Sequence, residues 1–520
     1  MIRRTTTVGL AGLLVWALAA GPSGAVIPAV GAISKKNMEW VFNVPSGVGA
    51  DIEFYETKLG DGTLKRYAIY TSMANGFNIV DITNPTLPVL TGVFVDPGLN
   101  WQGDVQVDPV RKIVVLATQG PGATVGHGGS DGLAFVSIEN PAMPTLLGVA
   151  NGLGGAAHNS TIIGDNVVYT TGGAQMVDYT NPAAPTVAAI PGMCGGHDIT
   201  VDPNNPDIAF NACGSTNTEV WDVSNPRLPV KISTIRDTKI SIAHQADPSP
   251  DSKLLYITDE RGGGLTNTSA PGGGIHVWDI SGKYKEGASL ENPIKVGAWW
   301  PPFNGVATSP TSSGVWGNLT AHNMTFQAER FLLSVGWYTM GTWVADLQFP
   351  TNNTGPYQEW SGTHPNNGGP TTWGNTQGNF LPEGAETWSS KWTRFDDPVF
   401  DRYIFTSDIS RGMDVFRYTG AMPQKVARLS VSDAATEGDV TGVLDRYAVW
   451  TYEGFVNRPL AGKTLTVKVD GGASVEAVSA ADGSFSADLN LAPGTHDVTV
   501  TWSDASGVYQ TTSVSQTITA

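Results

Sequence analysis

The stretch "GFNIVDITNPTLPVLTG", residues 76–92, decides how this chain folds. An apolar run ends in Asp81, a polar turn follows at Asn84-Pro85, and a second apolar run starts at Pro88. Asp81 can accept hydrogen bonds from turn amides. Asn-Pro interrupts a strand, and Pro88 falls at a strand start, where no ladder donor is needed. The pattern returns as "GLAFVSIENPAMPTLLG" (132–148), "AQMVDYTNPAAPTVAAI" (174–190) and "EVWDVSNPRLPVKIS" (219–233). Weaker copies are "IHVWDISGKYKEG" (275–287), "TWVADLQFPTNN" (342–353) and "GMDVFRYTG" (412–420). The aspartate recurs at Asp81, Asp178, Asp222, Asp279, Asp346 and Asp414, with Ser137 in the second copy.

Each copy follows a run of β-forming residues: "RYAIYTS", "KIVVLAT", "NVVYTTG", "DIAFNAC", "LLYITDE", "FLLSVGW" and "RYIFTSD". A unit then reads as inner strand, second strand, Asp-bearing third strand, and the strand after proline. Seven units at spacings of roughly 40–70 residues predict an all-β, seven-bladed β-propeller over residues 40–422. "NIVDITNPTLPVLTG" resembles the signature of the LVIVD-repeat family of β-propeller proteins, a resemblance covering roughly residues 45–420 with insertions near 262–273 and 349–385. It implies a propeller and says almost nothing of chemistry.

The chain has 520 residues, more than one small core accommodates. Gly 62 and Pro 33 are high and charged residues make up only 15%, as short strands joined by turns require. From about residue 425 the period-two alternation of "GKTLTVKVDGG", "GSFSADLNLAPGTHDVTVTW" and "GVYQTTSVSQTITA" resembles a bacterial Ig-like sandwich over 425–520. Arg3 and Arg4, an apolar run to about Ala20 and the small residues of "GPSGA" read as a signal peptide over 1–25. The mature protein is expected to be secreted, extracellular or surface-associated, with no transmembrane segment. Its net charge of −17 disfavours nucleic acid. Export permits oxidation, and pairing His197 with Phe210 in a hairpin sets Cys194 opposite Cys213, so a disulfide is expected there.

Four of the eight histidines occupy one repeat position, the opening of the inner strand: His158, His197, His244 and His322. Aligned with them are Ala50, Gly103 and, in the seventh unit, Lys391 or Trp392. The next position holds Asp51, Asp104, Asn159, Asp198, Gln245 and Asn323. Inner strands of a propeller start beside its axis, so residues far apart in sequence can converge there. Two readings follow. The histidines satisfy backbone groups between blades, or they line the channel mouth and hold a metal ion. Neutral imidazoles suit Mn, Fe, Cu or Zn, while Ca would mark a structural ion; Asp198 and the Asn/Gln neighbours would orient the rings.

Other candidates belong to loops of that face. Arg261, from "TDERGGG" with Asp259 and Glu260, and Arg411 suit a carboxylate. Tyr338, His197 and His244 can move protons. Trp337, His127 and Lys391 would contact substrate, Trp337 as a stacking surface for a sugar ring. The set fits proton abstraction beside a uronate, so the leading expectation is an extracellular enzyme acting on acidic polysaccharide, lyase-type and metal-assisted. The alternatives are a non-catalytic cell-surface or matrix-binding protein and a transition-metal redox enzyme or oxygenase. No GxSxG elbow, P-loop or dinucleotide fingerprint is present.

Overall fold

The computed structural model describes residues 32–45, 48–72, 76–95, 103–118, 132–153, 157–260, 273–301, 320–347, 375–432, 439–451, 454–489 and 491–519. The expected signal segment, 1–25, lies outside the described residues.

Among the described residues up to Tyr418, the strands form seven antiparallel sheets. The first runs Gly49–Lys58, Leu64–Ser72, Gly76–Asp81, Val89–Val95, each strand pairing with the next. The same order repeats from Val105–Asp108, Ser160–Gly164, Asp198–Asp202, Ala243–Pro248 and Met324–Phe326. The seventh sheet has Thr387–Trp392, Tyr403–Asp408 and Gly412–Tyr418, and takes its outer strand, Met38–Val44, from the start of the chain. Ala32–Lys36 adds a fifth strand to the outer edge of the sixth sheet. The first strands of the seven sheets neighbour one another in a closed cycle, the last touching the first. This is a β-propeller, and pairing the chain start with its final sheet removes the two edges an open ring would expose.

Sequence explains the layering. The second strands Ile113–Thr118, Leu254–Asp259 and Tyr403–Asp408 are buried along their whole length and read as nearly continuous β-formers. Between the first two sheets, Tyr55, Ile69, Phe77 and Ile79 pack on Val105, Val114, Leu116 and Ala134. Asp81, Asp178 and Asp222 each accept the amide two residues on, from Thr83, Thr180 and Ser224, and Asp279 accepts four turn amides. Asn84, Asn140, Asn181 and Asn225 repeat the device one turn later. The expected seventh marker is corrected. Asp414 pairs with Thr406, three residues inside its strand, and Arg417 stands at the marker position opposite Tyr403. No turn follows there for an aspartate to cap, because the strand that completes this sheet arrives from the chain start.

The glycines closing the first two copies have a packing reason. A Cβ on Gly92 would stand 2.0 Å from the Pro141 carbonyl oxygen, and one on Gly148 2.2 Å from that of Pro182. Each outer strand thus lies against the Asn-Pro turn of the next sheet. Gly92→Val should cost about 2–3 kcal/mol in urea unfolding. Gly60→Ala, which meets nothing within 4 Å, should leave the midpoint unchanged; equal effects of the two would refute the packing argument.

Cys194 and Cys213 are bonded to each other, with Cα atoms 5.7 Å apart. The register that suggested this is corrected: Phe210 faces Thr200, and His197 donates its N–H to Ala212 O from just before the strand. An irregularity between Val201 and Asp202 displaces the pairing counted back from the turn.

Beyond Ala427 two further sheets face one another. One comprises Arg428–Val431, Asp439–Thr451, Gly454–Pro459 and Ser484–Asp488; the other Thr464–Val469, Ser474–Val478, Thr495–Trp502 and Thr512–Thr519. Leu444, Leu465, Val467, Val498, Val500 and Trp502 share one core between them, making a β-sandwich. Glu329 of the sixth sheet's hairpin ties it to the propeller, accepting from Arg446 (2.8 and 3.0 Å), Lys425 and Tyr509. Burial pushes Glu329 up, but the Arg446 and Lys425 cations outweigh it and hold the carboxyl below its usual range.

Candidate functional site

The four inner-strand histidines converge. Ring centroids lie 4.3 Å apart for His158–His197, 4.0 Å for His197–His244 and 3.9 Å for His244–His322. His244 and His322 are each 1% exposed. They stand at the openings of four consecutive first strands, and the closed cycle of those strands brings one end of each to the axis.

Glu260 completes the cluster. It follows the second strand of the fifth sheet, where Asp259 organises the turn by accepting amides from Ser241, Ile242 and Gly273. Glu260 Oε2 lies 3.6 Å from His197 Nε2 and 4.0 Å from His244 Nε2, and Oε1 lies 3.7 Å from His322 Nε2. Tyr338 OH donates to Oε1. The sequence shows Glu260 inside "TDERGGG" but assigns it no role; its place at the end of a second strand, on the histidine face, is the signal that could have found it.

Protonation follows from geometry. The Trp388 carbonyl lies 2.9 Å from His322 Nδ1 and can only accept, so Nδ1 carries the proton and Nε2 turns a bare lone pair toward Glu260. Both ring nitrogens of His244 and Nδ1 of His197 are buried without a hydrogen-bond partner. Burial lowers His158 to about 4. Burial, then repulsion from the neighbouring imidazoles, holds His197, His244 and His322 well below the usual range. Burial raises Glu260 to about 7 against the Tyr338 hydrogen bond. Near neutral pH the cluster is therefore a set of uncharged imidazoles around one carboxyl. Two ligands each about 2.0–2.2 Å from one ion stand roughly 3–4 Å apart, and the ligand atoms of His197, His244 and Glu260 all lie within 4.8 Å of one another, so these three fit a shared first-row metal, with His322 against the other oxygen of Glu260. Imidazole donors favour Mn, Fe, Cu or Zn over Ca, which prefers an all-oxygen shell.

Several expected roles change. Trp337 is fully buried and packs edge-on against Trp299 at 5.9 Å, so it offers no stacking face. Its neighbour Tyr338, at φ 43°, points the other way into the cluster, 4.9 Å from His322. Arg411 is committed to Asp414, with Nε at 2.7 Å and Nη2 at 3.1 Å. The seventh member of the histidine ring is Trp388, followed by Ser389, because Asn323 bridges Ser389. Lys391 stands two residues deeper, ion-paired to Asp51 at 2.9 Å and Glu53 at 2.7 Å. Ring orientation, expected from Asp198 and its Asn/Gln neighbours, comes for His322 from the Trp388 carbonyl. Arg261 and His127 lie outside the described residues.

Behind the histidines, Asp51, Asp104, Asn159 and Asn323 form the next layer, bordering a small void of about 10 Å³. Ser389 Oγ donates to Asp51 Oδ1 at 2.9 Å, and Ser160 N donates to Asp104 Oδ2 at 2.8 Å.

Compared with known proteins, residues 67–96 match the LVIVD repeat. The match spans the second, third and fourth strands of the first sheet. Among solved structures the chain is similar to the β-propeller domain of Myceliophteria thermophila Cps50 (Swd1), at 9% identity and a TM-score of 0.45, covering 73% of this chain and 99% of that one. No curated protein matches the chain.

Proposed function

We propose that this chain is an extracellular metalloprotein in which His197, His244 and Glu260 hold one transition-metal ion at one mouth of a seven-bladed propeller, with His322 beside them. The reading is carried by three uncharged imidazole Nε2 atoms lying 3.6–4.0 Å from a single buried carboxyl, with both His244 nitrogens unpartnered. Burying such groups with no partner costs about 1–3 kcal/mol each, a cost a bound ion would offset. The metal would supply Lewis-acid or redox chemistry. Tyr338 would hold Glu260 Oε1 in place, and His158 would back His197.

Elemental analysis of the purified mature protein should find about one equivalent of Mn, Fe, Cu or Zn. Iron or copper would make it a redox enzyme or oxygenase. Zinc or manganese would favour hydrolytic or lyase chemistry. No metal after reconstitution would end this reading and leave a cell-surface or matrix-binding protein, a role that suits an Ig-like identity for the terminal sandwich.

Lyase-type action on an acidic polysaccharide ranks lower. Arg411 is tied to Asp414, Trp337 is in the core, and the channel behind the cluster is lined by carboxylates that repel a polyanion. Secretion after cleavage near residue 25, the propeller limits 40–422 and the sandwich limits 425–520 complete the proposal.

A further inference from the structure

We propose, building on the metal reading above, that the carboxylate-lined channel behind the histidine cluster is the route by which a hydrated divalent cation reaches the centre. The channel is a cavity of about 180 Å³ whose wall includes Asp51, Glu53, Asp104, Asp198 and Asp247, with Lys391 and Arg394 as its cations. Lys391 is already engaged by Asp51 and Glu53. Five carboxyl groups face two cations along this one cavity.

The channel meets the metal cluster directly. Asp51, Asp104 and Asn323 border both this cavity and the small void lined by His158, His244 and His322. At that junction Asp51 Oδ2 and Asn323 Oδ1 are buried without a hydrogen-bond partner, in residues only 3% and 5% exposed. Two acceptor oxygens lacking donors suit the water shell of a passing cation. Among the described residues, the channel carboxylates do not converge within ligand distance of one point, whereas His197, His244 and Glu260 do. The ring therefore attracts and passes an ion, and the histidine cluster binds it.

The test is stopped-flow uptake of Co²⁺ by the full-length, chelator-stripped protein, followed by its visible absorption. Glu53→Gln should slow uptake about tenfold, with final cobalt content unchanged, and added salt should slow the wild type. Glu53 has a side chain 28% exposed, so its variant is expected to fold. Uptake as fast as wild type in a folded Glu53→Gln variant, with no salt effect, would overturn the route and place entry on the histidine face. A wild type that takes up no cobalt would overturn the metal reading and this route together. Cobalt bound at equal rates would overturn the route alone.

Discussion

His244→Ala should reduce the bound transition metal from about one equivalent to below about a tenth and weaken the affinity more than a hundredfold, beyond the loss typical when only a group hydrogen-bonded to a ligand is removed. His244 is 1% exposed, central in the row of rings, and has neither nitrogen hydrogen-bonded. Its loss removes a ligand and leaves a void beside Glu260. Tyr338→Phe keeps every imidazole and removes only the donor to Glu260 Oε1, so its affinity should fall by about 10–100-fold. His276→Ala is the control. His276 is equally buried but sits on the third strand of the same sheet, beside Asp237 at 3.6 Å and not among the clustered rings, and its replacement should leave metal content untouched. Full metal retention in His244→Ala would remove the basis of the proposed function. Equal losses in His276→Ala would mean that the fold, not the ligand set, had been disturbed.

The second large effect is acid sensitivity of the metal-free protein. His158 is held at about 4 against an ordinary 6.5, and His197, His244 and His322 lie well below that value as well. An unfolded chain binds protons on these residues as pH falls through 6.5, while the folded chain does not. Stability is therefore fully present above pH 6.5 and lost as pH falls toward 4. His158 alone contributes on the order of 3 kcal/mol to that loss. Glu260 opposes it between 4.5 and about 7, because its raised carboxyl favours the protonated folded state in that window. Burial likewise raises Asp408 to about 7 and lifts Asp104 and Asp198 well above the usual carboxylate range, so these carboxyls oppose the imidazoles too, and the histidine contribution is read as the difference between wild type and a histidine variant. Urea midpoints of the stripped protein at pH 7, 5.5 and 4.5 measure it. His244→Phe should flatten the curve, and bound metal should steepen it, since protons must then displace the ion. The same pH dependence in wild type and His244→Phe would show that His244 is solvated and not packed against its neighbours.

The repeat copies were legible because turn chemistry is local. Asp81, Asn84 and Pro88 act within a few residues of themselves, so their spacing survives in the sequence. The histidine position was legible for a related reason: the closed ring carries one strand opening in each unit to the axis, and four units place the same residue there. Where an anchor was missing the reading slipped. In the seventh unit no histidine marks the strand opening, and Lys391 or Trp392 was read where Trp388 stands. Trp337 and Tyr338 are adjacent, and only the left-handed turn at Tyr338 sends one to the core and the other to Glu260.

By itself, then, the sequence determined the class of fold, the repeated strand-and-turn unit and the face on which the histidines gather, all consequences of short-range hydrogen bonding and strand alternation. Tertiary structure decided the rest. Met38–Val44 closes the ring by pairing with residues far along the chain, Glu260 enters the centre from a turn, and Arg411 is taken up by Asp414. These depend on strand register and on ring closure, which sum small irregularities over the whole chain, and no local pattern records that sum.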